Sequence, residues 1–206
     1  MFMGIKGSAT QEKILNITQH MVLQKGFSGT SIDEIIDQAG ITKGGFFYHF
    51  KGKSDLAMRL ITRYFKQDDA FFQSLFDRAD SLSEDPLQQL LIFMKLFSEA
   101  MADLEDTHPG CLVASFTYES HQFDDHVRQL MAQGVLNWRT MFSSRFETIL
   151  KTHPAKIDTR AEQLADMLTS IIEGGIVVSR VLASQKVLVE QLLQFRNYIR
   201  LLFDVK

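Results

Sequence analysis

The chain has 206 residues, 45% of them hydrophobic, and carries 22 Lys and Arg against 25 Asp and Glu, a formal net charge of -3. This length and composition fit one folded domain or two small ones, and the near-neutral charge excludes a protein that coats nucleic acid or anionic membrane non-specifically. The single Cys excludes an internal disulfide and a Cys-rich metal site. Because neither a signal peptide nor an apolar run of membrane-spanning length is found, we expect a cytoplasmic protein.

Apolar residues recur every three or four positions in long stretches that contain only three prolines, Pro86, Pro109 and Pro154. This period is helical, so the sequence predicts an all-α fold of about nine helices. The first helix spans residues 9–25. The second begins with the capping box Ser31-Ile32-Asp33-Glu34, and the third runs from Thr42 to about residue 48.

The second and third predicted helices form a helix-turn-helix at residues 31–50, with a second helix of the right size to enter a DNA major groove. Residues 1–60 carry a net charge of +2, and the remainder carries -5. Thr42 and Lys43 lie at the start of the third helix, where free amides, the helix dipole and a cation favour a phosphate. Thr30 and Ser31 begin the preceding helix, where a flanking phosphate could rest.

Residues 10–60 closely resemble the N-terminal DNA-binding domain of the TetR family of bacterial repressors. The matching segments are Lys25-Gly26-Phe27, Thr30-Ser31, Ile32-x-x-Ile35, Ala39-Gly40-Ile41, Thr42-Lys43-Gly44 and Phe47-Tyr48-His49-Phe50-x-x-Lys53 with Leu56. The resemblance implies a DNA-binding domain at 1–52 and a helical effector-binding and dimerisation domain at 53–206. It also implies a DNA-facing set, which consists of Thr42, Lys43, Gly44, Phe47, Tyr48, His49 and Lys53.

Some of these positions have a second interpretation. Gly45 and Phe47 depart from the residues usual in the family, so base preference does not transfer, and Phe47 is suited to contact a thymine methyl group. Phe46 and Phe50 are expected in the core. His49 is either a DNA contact or a structural hydrogen-bonding residue.

Beyond residue 60 lie twelve of the seventeen Phe residues, which either line an apolar cavity or form ordinary core. Because TetR regulators release DNA when a small molecule binds their larger domain, the resemblance favours a pocket for an unidentified effector. The expected lining residues are Phe65, Phe72, Phe97, Met101, Cys111, Phe116, Trp138 and Phe142.

One short recognition helix reads too few base pairs, so two copies of the chain are expected on a palindromic operator. The last two predicted helices, about 158–183 and 186–204, are the expected dimer surface, because Gly174-Gly175 allows close helix approach. The alternative is that these helices pack only within one subunit. The expected interface residues are Ile171, Gly174, Gly175, Val178, Leu192, Phe195 and Tyr198.

Cys111 stands at the predicted start of the sixth helix, where amide donors favour a thiolate. The Gly110-Cys111-Leu112 run resembles a TetR subgroup in which some members sense electrophiles or oxidants. Cys111 is therefore either a sensor or a small buried apolar residue.

A metal site and catalysis are both disfavoured. Glu119, His121, Asp124, Asp125 and His126 cluster in the sequence, but the two histidines are five residues apart and do not share a helical face. No Gly-rich phosphate loop, nucleophile elbow or zinc-protease motif occurs, so no enzyme activity and no cofactor are expected.

The function predicted is a dimeric DNA-binding repressor; the alternatives are an effector-independent architectural DNA-binding factor and a helical enzyme or carrier.

Overall fold

The computed structural model describes the backbone of residues 3–205 and the side chains of residues 7–205. Within that range the chain forms nine α-helices, no strand and one short 3-10 turn, Ser120–Gln122, so the all-α prediction is confirmed. None of these helices combines the length and the hydropathy needed to cross a lipid bilayer. The helices are α1 (Met3–Lys25), α2 (Ile32–Ala39), α3 (Lys43–His49), α4 (Lys53–Leu82), α5 (Pro86–Ala102), α6 (Leu112–Tyr118), α7 (Asp125–Thr152), α8 (Ala161–Val181) and α9 (Lys186–Leu202).

Local sequence signals set the starts of several helices, among them α2, α3 and α5. The capping box at α2 is confirmed, because the Ser31 side chain accepts from Glu34 N and the Glu34 carboxylate accepts from Ser31 N. Gly40 ends α2 in the left-handed conformation, with φ 63°, which glycine adopts at little cost. Cys111 lies at the start of the sixth helix, as predicted: Gly110 has φ 121°, Cys111 is the extended N-cap residue, and α6 begins at Leu112.

The helices group into two compact units. The head unit comprises Met1–Gln67 with Cys111–Gly134, and the body unit comprises Asp68–Gly110 with Val135–Lys206. This packing boundary differs from the predicted functional boundary at residues 52 and 53, because α4 starts at Lys53 without a linker and 111–134 packs with the helix-turn-helix. The assignment of DNA binding to 1–52 and of effector binding to 53–206 remains a prediction.

The aromatic core of the head unit joins residues that are far apart in the sequence. The Phe27 ring lies 5.2 Å from Phe116 and 4.8 Å from Phe123, and Phe116 stacks on Phe123 at 4.3 Å between centroids. On α7, a Cβ atom at Gly134 would overlap the Phe65 ring of α4. Phe65 therefore packs directly on the α7 backbone, a contact that only glycine permits.

The body unit has its own aromatic cluster, formed by Phe72, Phe76, Phe93, Phe97 and Phe142. Phe76 stacks on Phe93 at 4.0 Å between centroids, and Phe142 lies 5.3 Å from Phe72. Arg145 on α7 binds both carboxylate oxygens of Asp80 on α4, at 2.7 and 2.9 Å. Such a bidentate pair fixes orientation as well as distance, so α4 and α7 are held in register within this unit.

Part of the predicted dimer surface is buried within the chain. Leu192 and Phe195 are 0% and 1% exposed, so their assignment to a subunit interface was wrong. A Cβ atom at Gly175 would lie 2.8 Å from Leu188 Cδ1, which means that this glycine permits close packing of α8 on α9 in the same chain. Gly174 has open space around it, because successive helix residues point about 100° apart.

Candidate nucleic-acid interface

The recognition helix α3 has one buried face and one exposed face. Phe46 within α3 and Phe50 just after it are fully buried, which confirms that both belong to the core. Phe47 and Tyr48 are 45% and 82% exposed, and Lys43 and Gly44 are exposed as well. These exposed aromatic and cationic side chains lie together on the second helix of a helix-turn-helix, the helix that enters the major groove, so this face is the candidate DNA-reading surface.

The Thr42 hydroxyl caps α3 by accepting from Gly45 N at 3.0 Å. A Cβ atom at Gly44 would lie 3.9 Å from Thr42 Oγ1, so the glycine is not required by packing. Its lack of a side chain instead leaves the amides of the first turn accessible. Free amides at a helix N-terminus are anion ligands, which suits this turn to a phosphate.

The orientation of α2 is held by contacts to the middle and to the C-terminal end of α1. Lys13 donates to the Ala39 carbonyl at 2.7 Å, which satisfies the C-terminal end of α2. Lys25 pairs with Glu34 at 2.6 Å. The Lys25 bond and the Ser31 hydrogen bonds lower the pKa of Glu34 to about 2, so this carboxylate is ionised at neutral pH.

The predicted DNA-contact residues outside the exposed face of α3 differ in how far their side chains are exposed. Thr30 is 1% exposed and donates to the Gly26 carbonyl, so its assignment as a phosphate contact was wrong. Ser31 is exposed, although its hydroxyl belongs to the capping box. His49 is half-buried, and its ring lies beside Gly7 near the start of α1.

Lys53, at the start of α4, is half-buried, with Nζ lying 4.6 Å from the centroid of the Phe27 ring. Burial lowers the pKa of its amine, and the Glu119 carboxylate partly offsets that effect. The amine therefore contacts the turn before α2, residues 26–31, although Lys53 itself begins α4.

Glu119 fastens that turn, a role that the sequence analysis missed. Its carboxylate accepts from Phe27 N and Ser28 N, each at 2.7 Å, and from the Ser28 hydroxyl. Gly26 has φ +79°, a conformation that favours glycine, and a side chain there would displace the same carboxylate. Burial raises the pKa of Glu119, but the hydrogen bonds from Ser28 and Phe27 and the charge of Lys53 outweigh it and lower the pKa below its ordinary value.

A second carboxylate fastens the start of α4. Asp124 accepts from the Ser54 hydroxyl at 2.6 Å and from Val127 N at 3.0 Å. The acidic segment that resembled a metal site thus serves hydrogen bonding. Among residues 7–205 no group of three or more His, Cys, Asp or Glu side chains is arranged to hold a metal ion.

The predicted effector-pocket residues divide between the two units. Phe65, Cys111 and Phe116 belong to the head unit, and the other five belong to the body unit: Phe72, Phe97, Met101, Trp138 and Phe142. Seven of the eight are buried, and Cys111 is half-buried as the N-cap residue of α6. Phe65 and Phe116 pack in the core of the head unit. That the eight residues line an effector site remains a prediction.

In this region two short helices are joined by a tight turn, and a buried aromatic core holds the second helix with its other face exposed. This arrangement defines a helix-turn-helix DNA-binding protein. The profile described as "Bacterial regulatory proteins, tetR family" matches residues 14–60, and that described as "Tetracyclin repressor-like, C-terminal domain" matches residues 86–194. The chain therefore belongs to the TetR family. It is a DNA-binding transcriptional regulator and not an enzyme.

Relatives and solved structures agree with this assignment. The chain is 27% identical to the transcriptional regulator AcuR of Cereibacter sphaeroides, over 82% of this chain and 76% of AcuR. It is 22% identical to the transcriptional repressor NemR of Escherichia coli, over 92% of this chain and 94% of NemR. Its fold is similar to that of a TetR-family regulator from Agrobacterium tumefaciens (TM-score 0.78, 19% identity, 93% and 98% covered) and of reduced E. coli NemR (TM-score 0.73, 21% identity, 92% and 96% covered).

Proposed function

We propose that the protein is a homodimeric repressor of the cytoplasm that binds a palindromic operator through α2 and α3. A small apolar ligand or an electrophile bound by residues 53–206 would release it. The observation that carries this proposal is the exposed face of α3, where Lys43, Phe47 and Tyr48 are accessible while Phe46 is buried. The name of NemR, a transcriptional repressor, supports repression rather than activation.

An apolar stripe on α8 supports the homodimer. Met167, Val178 and Val181 are exposed, Gly174 has open space around it, and their spacing places all four on one helical stripe. Ile171 and Tyr198, both half-buried, are expected at its margin. A contiguous apolar surface of this kind is costly to leave in water, and a second copy of the chain would cover it.

Two such subunits would place their recognition helices in successive major grooves, about 34 Å apart. Selection of bound sequences from random DNA, followed by footprinting, tests this proposal. A discrete palindrome is the expected result. Diffuse, strongly salt-dependent protection would favour an architectural factor, and no DNA binding would contradict the proposal.

Replacing Lys43 with alanine is expected to weaken operator binding about tenfold and to reduce the salt slope by about one, because a phosphate contact is lost. Dimerisation should not change, since Lys43 is exposed on α3, far in sequence from α8. Fluorescence anisotropy at several salt concentrations measures affinity, and sedimentation measures dimerisation. Lys151→Ala, at an exposed position near the end of α7, is the matched control; equal affinities of the two variants would remove Lys43 from the interface.

Cys111 is the proposed electrophile sensor. It occupies the N-cap position of α6, and α6 ends next to Glu119, which holds the turn before α2. A group added to its sulfur would be expected to displace α6 and, through Glu119, that turn. The structure of E. coli NemR was solved in a reduced form, so a redox state is distinguished in that relative.

N-ethylmaleimide is therefore expected to release the protein from its operator, since the thiolate adds to the maleimide double bond and leaves a bulky adduct at the start of α6. Cys111→Ser should bind the operator normally and should not be released. Anisotropy of labelled operator, with mass spectrometry to count adducts, provides the measurement. Release that persists unchanged in the serine variant would contradict a sensor role and favour a purely structural cysteine.

A further inference from the structure

A groove of about 410 Å³ lies within the head unit between α1, α4 and α7. Its apolar lining comes from each of the three helices, through Leu15, Met58 and Leu130. The volume is in the range of small-molecule binding sites. None of the residues assigned above to DNA contact or to the effector pocket lines this groove.

Arg63 also lines the groove, and its positive charge is only partly neutralised by a neighbouring carboxylate. Its side chain is only 10% exposed, and its terminal nitrogens donate to Glu12 at 3.0 Å, Asn16 at 2.7 Å and Gln19 at 2.8 Å. Its Nε is buried and has no acceptor among the described residues. The only carboxylate among these partners, Glu12, is 53% exposed, and a buried cation is costly unless an anion compensates it.

Arg59 and Lys66 line the same groove on the same side of α4. Arg59 pairs with Asp55 through Nε at 3.0 Å, and Arg63 pairs with Glu12. Besides His126, the charged side chains that line the groove are these three cations and Glu12, and Asp55 pairs with Arg59 next to the groove, so one positive charge is left beside an apolar surface. The charge complement of this groove is a monoanion with an apolar portion.

We propose that this groove binds a small organic carboxylate. Its carboxylate would lie near Arg63 and Lys66, and its apolar chain would cover Leu15, Met58 and Leu130. A dianion such as inorganic phosphate fits less well, because only one charge is uncompensated and phosphate would leave the apolar lining in water. The site does not depend on the function proposed above, since it requires neither DNA nor a partner subunit.

Isothermal titration of the full-length protein with hexanoate, hexanamide and hexylammonium tests the proposal. The three probes have the same chain length and differ in charge. Hexanoate is expected to bind with one site per chain and at least about tenfold more tightly than either other probe, the change expected when one ion pair is lost. Equal binding of the three probes, or no binding of hexanoate, would overturn the proposal.

Two exposed positions in the groove allow variants that leave its buried residues untouched. Lys66→Glu reverses the uncompensated charge, and Thr62→Trp fills the groove. Each should weaken hexanoate binding by at least about tenfold, while Lys151→Glu, the same charge change at an exposed site on α7, should not. Circular dichroism confirms folding. Hexanoate binding that both groove variants retain would place the carboxylate elsewhere and contradict the assignment.

Discussion

Replacing Gly134 with leucine is expected to destabilise the protein by about 3 kcal/mol, because the new side chain must occupy the space of the Phe65 ring. Gly134 is buried on α7, and even a Cβ atom there would overlap that ring. Since the overlap involves an aromatic ring and not the flexible end of a long side chain, the two helices would have to separate. Urea unfolding followed by circular dichroism, at one fixed protein concentration, measures the change.

A size exchange provides the control. Phe65→Ala removes the ring and is expected to cost about 3 kcal/mol by itself, through lost burial and the cavity left behind. Combined with Gly134→Leu, it should be less destabilising than the sum of the two single changes, because leucine would occupy the vacated space. Simple additivity would show that the two residues do not contact each other in solution.

Replacing Glu119 with alanine is expected to lower operator affinity about tenfold, as the turn before α2 would lose the acceptor that holds it. Two backbone amides and one hydroxyl donate to this carboxylate, and alanine would leave all three without this acceptor. The low pKa keeps Glu119 ionised at neutral pH, and its contribution is lost only as pH falls through that value. Anisotropy with labelled operator measures the affinity.

Glu119→Gln should have an intermediate effect, because the amide keeps one oxygen acceptor but turns an NH₂ group toward donors. Glu147→Ala, at an exposed position on α7 in the body unit, should leave affinity unchanged. Sedimentation and circular dichroism distinguish a misplaced recognition helix from a change in oligomeric state or an unfolded chain. An alanine variant that is folded, has the oligomeric state of the wild type and binds with wild-type affinity would show that Glu119 does not position the helix-turn-helix.

The reading helix was predictable because its signals are local. Ser31 and Thr42 each satisfy amides three residues away, and Gly40 ends a helix through its own backbone conformation. The alternation of buried Phe46 and Phe50 with exposed Phe47 and Tyr48 follows from helical periodicity. These interactions lie within a few residues, so the local sequence was sufficient to locate the helix-turn-helix and its exposed face.

The assignments of Thr30 to DNA and of Leu192 and Phe195 to a subunit interface were wrong because each side chain suits two different environments. Thr30 and Ser31 are both small hydroxyl residues at a helix start, but only Ser31 is exposed. Leu192 and Phe195 form an apolar face that suits a partner subunit or the same chain equally well, and the chain itself buries them. Periodicity identifies an apolar face, but it does not identify what covers that face.

Only the tertiary structure assigned Glu119, which bonds to Phe27 across 92 residues of sequence, and only it brought Phe65 onto Gly134. Such contacts depend on how helices distant in the chain pack, and no local spacing records them. The caps and helical periods of the sequence were enough for the fold class and the helix-turn-helix, and the resemblance of residues 10–60 was enough for the family. The attachment of the turn before α2 to Glu119, at the end of α6, and the cationic groove of the head unit were decided by packing between distant segments.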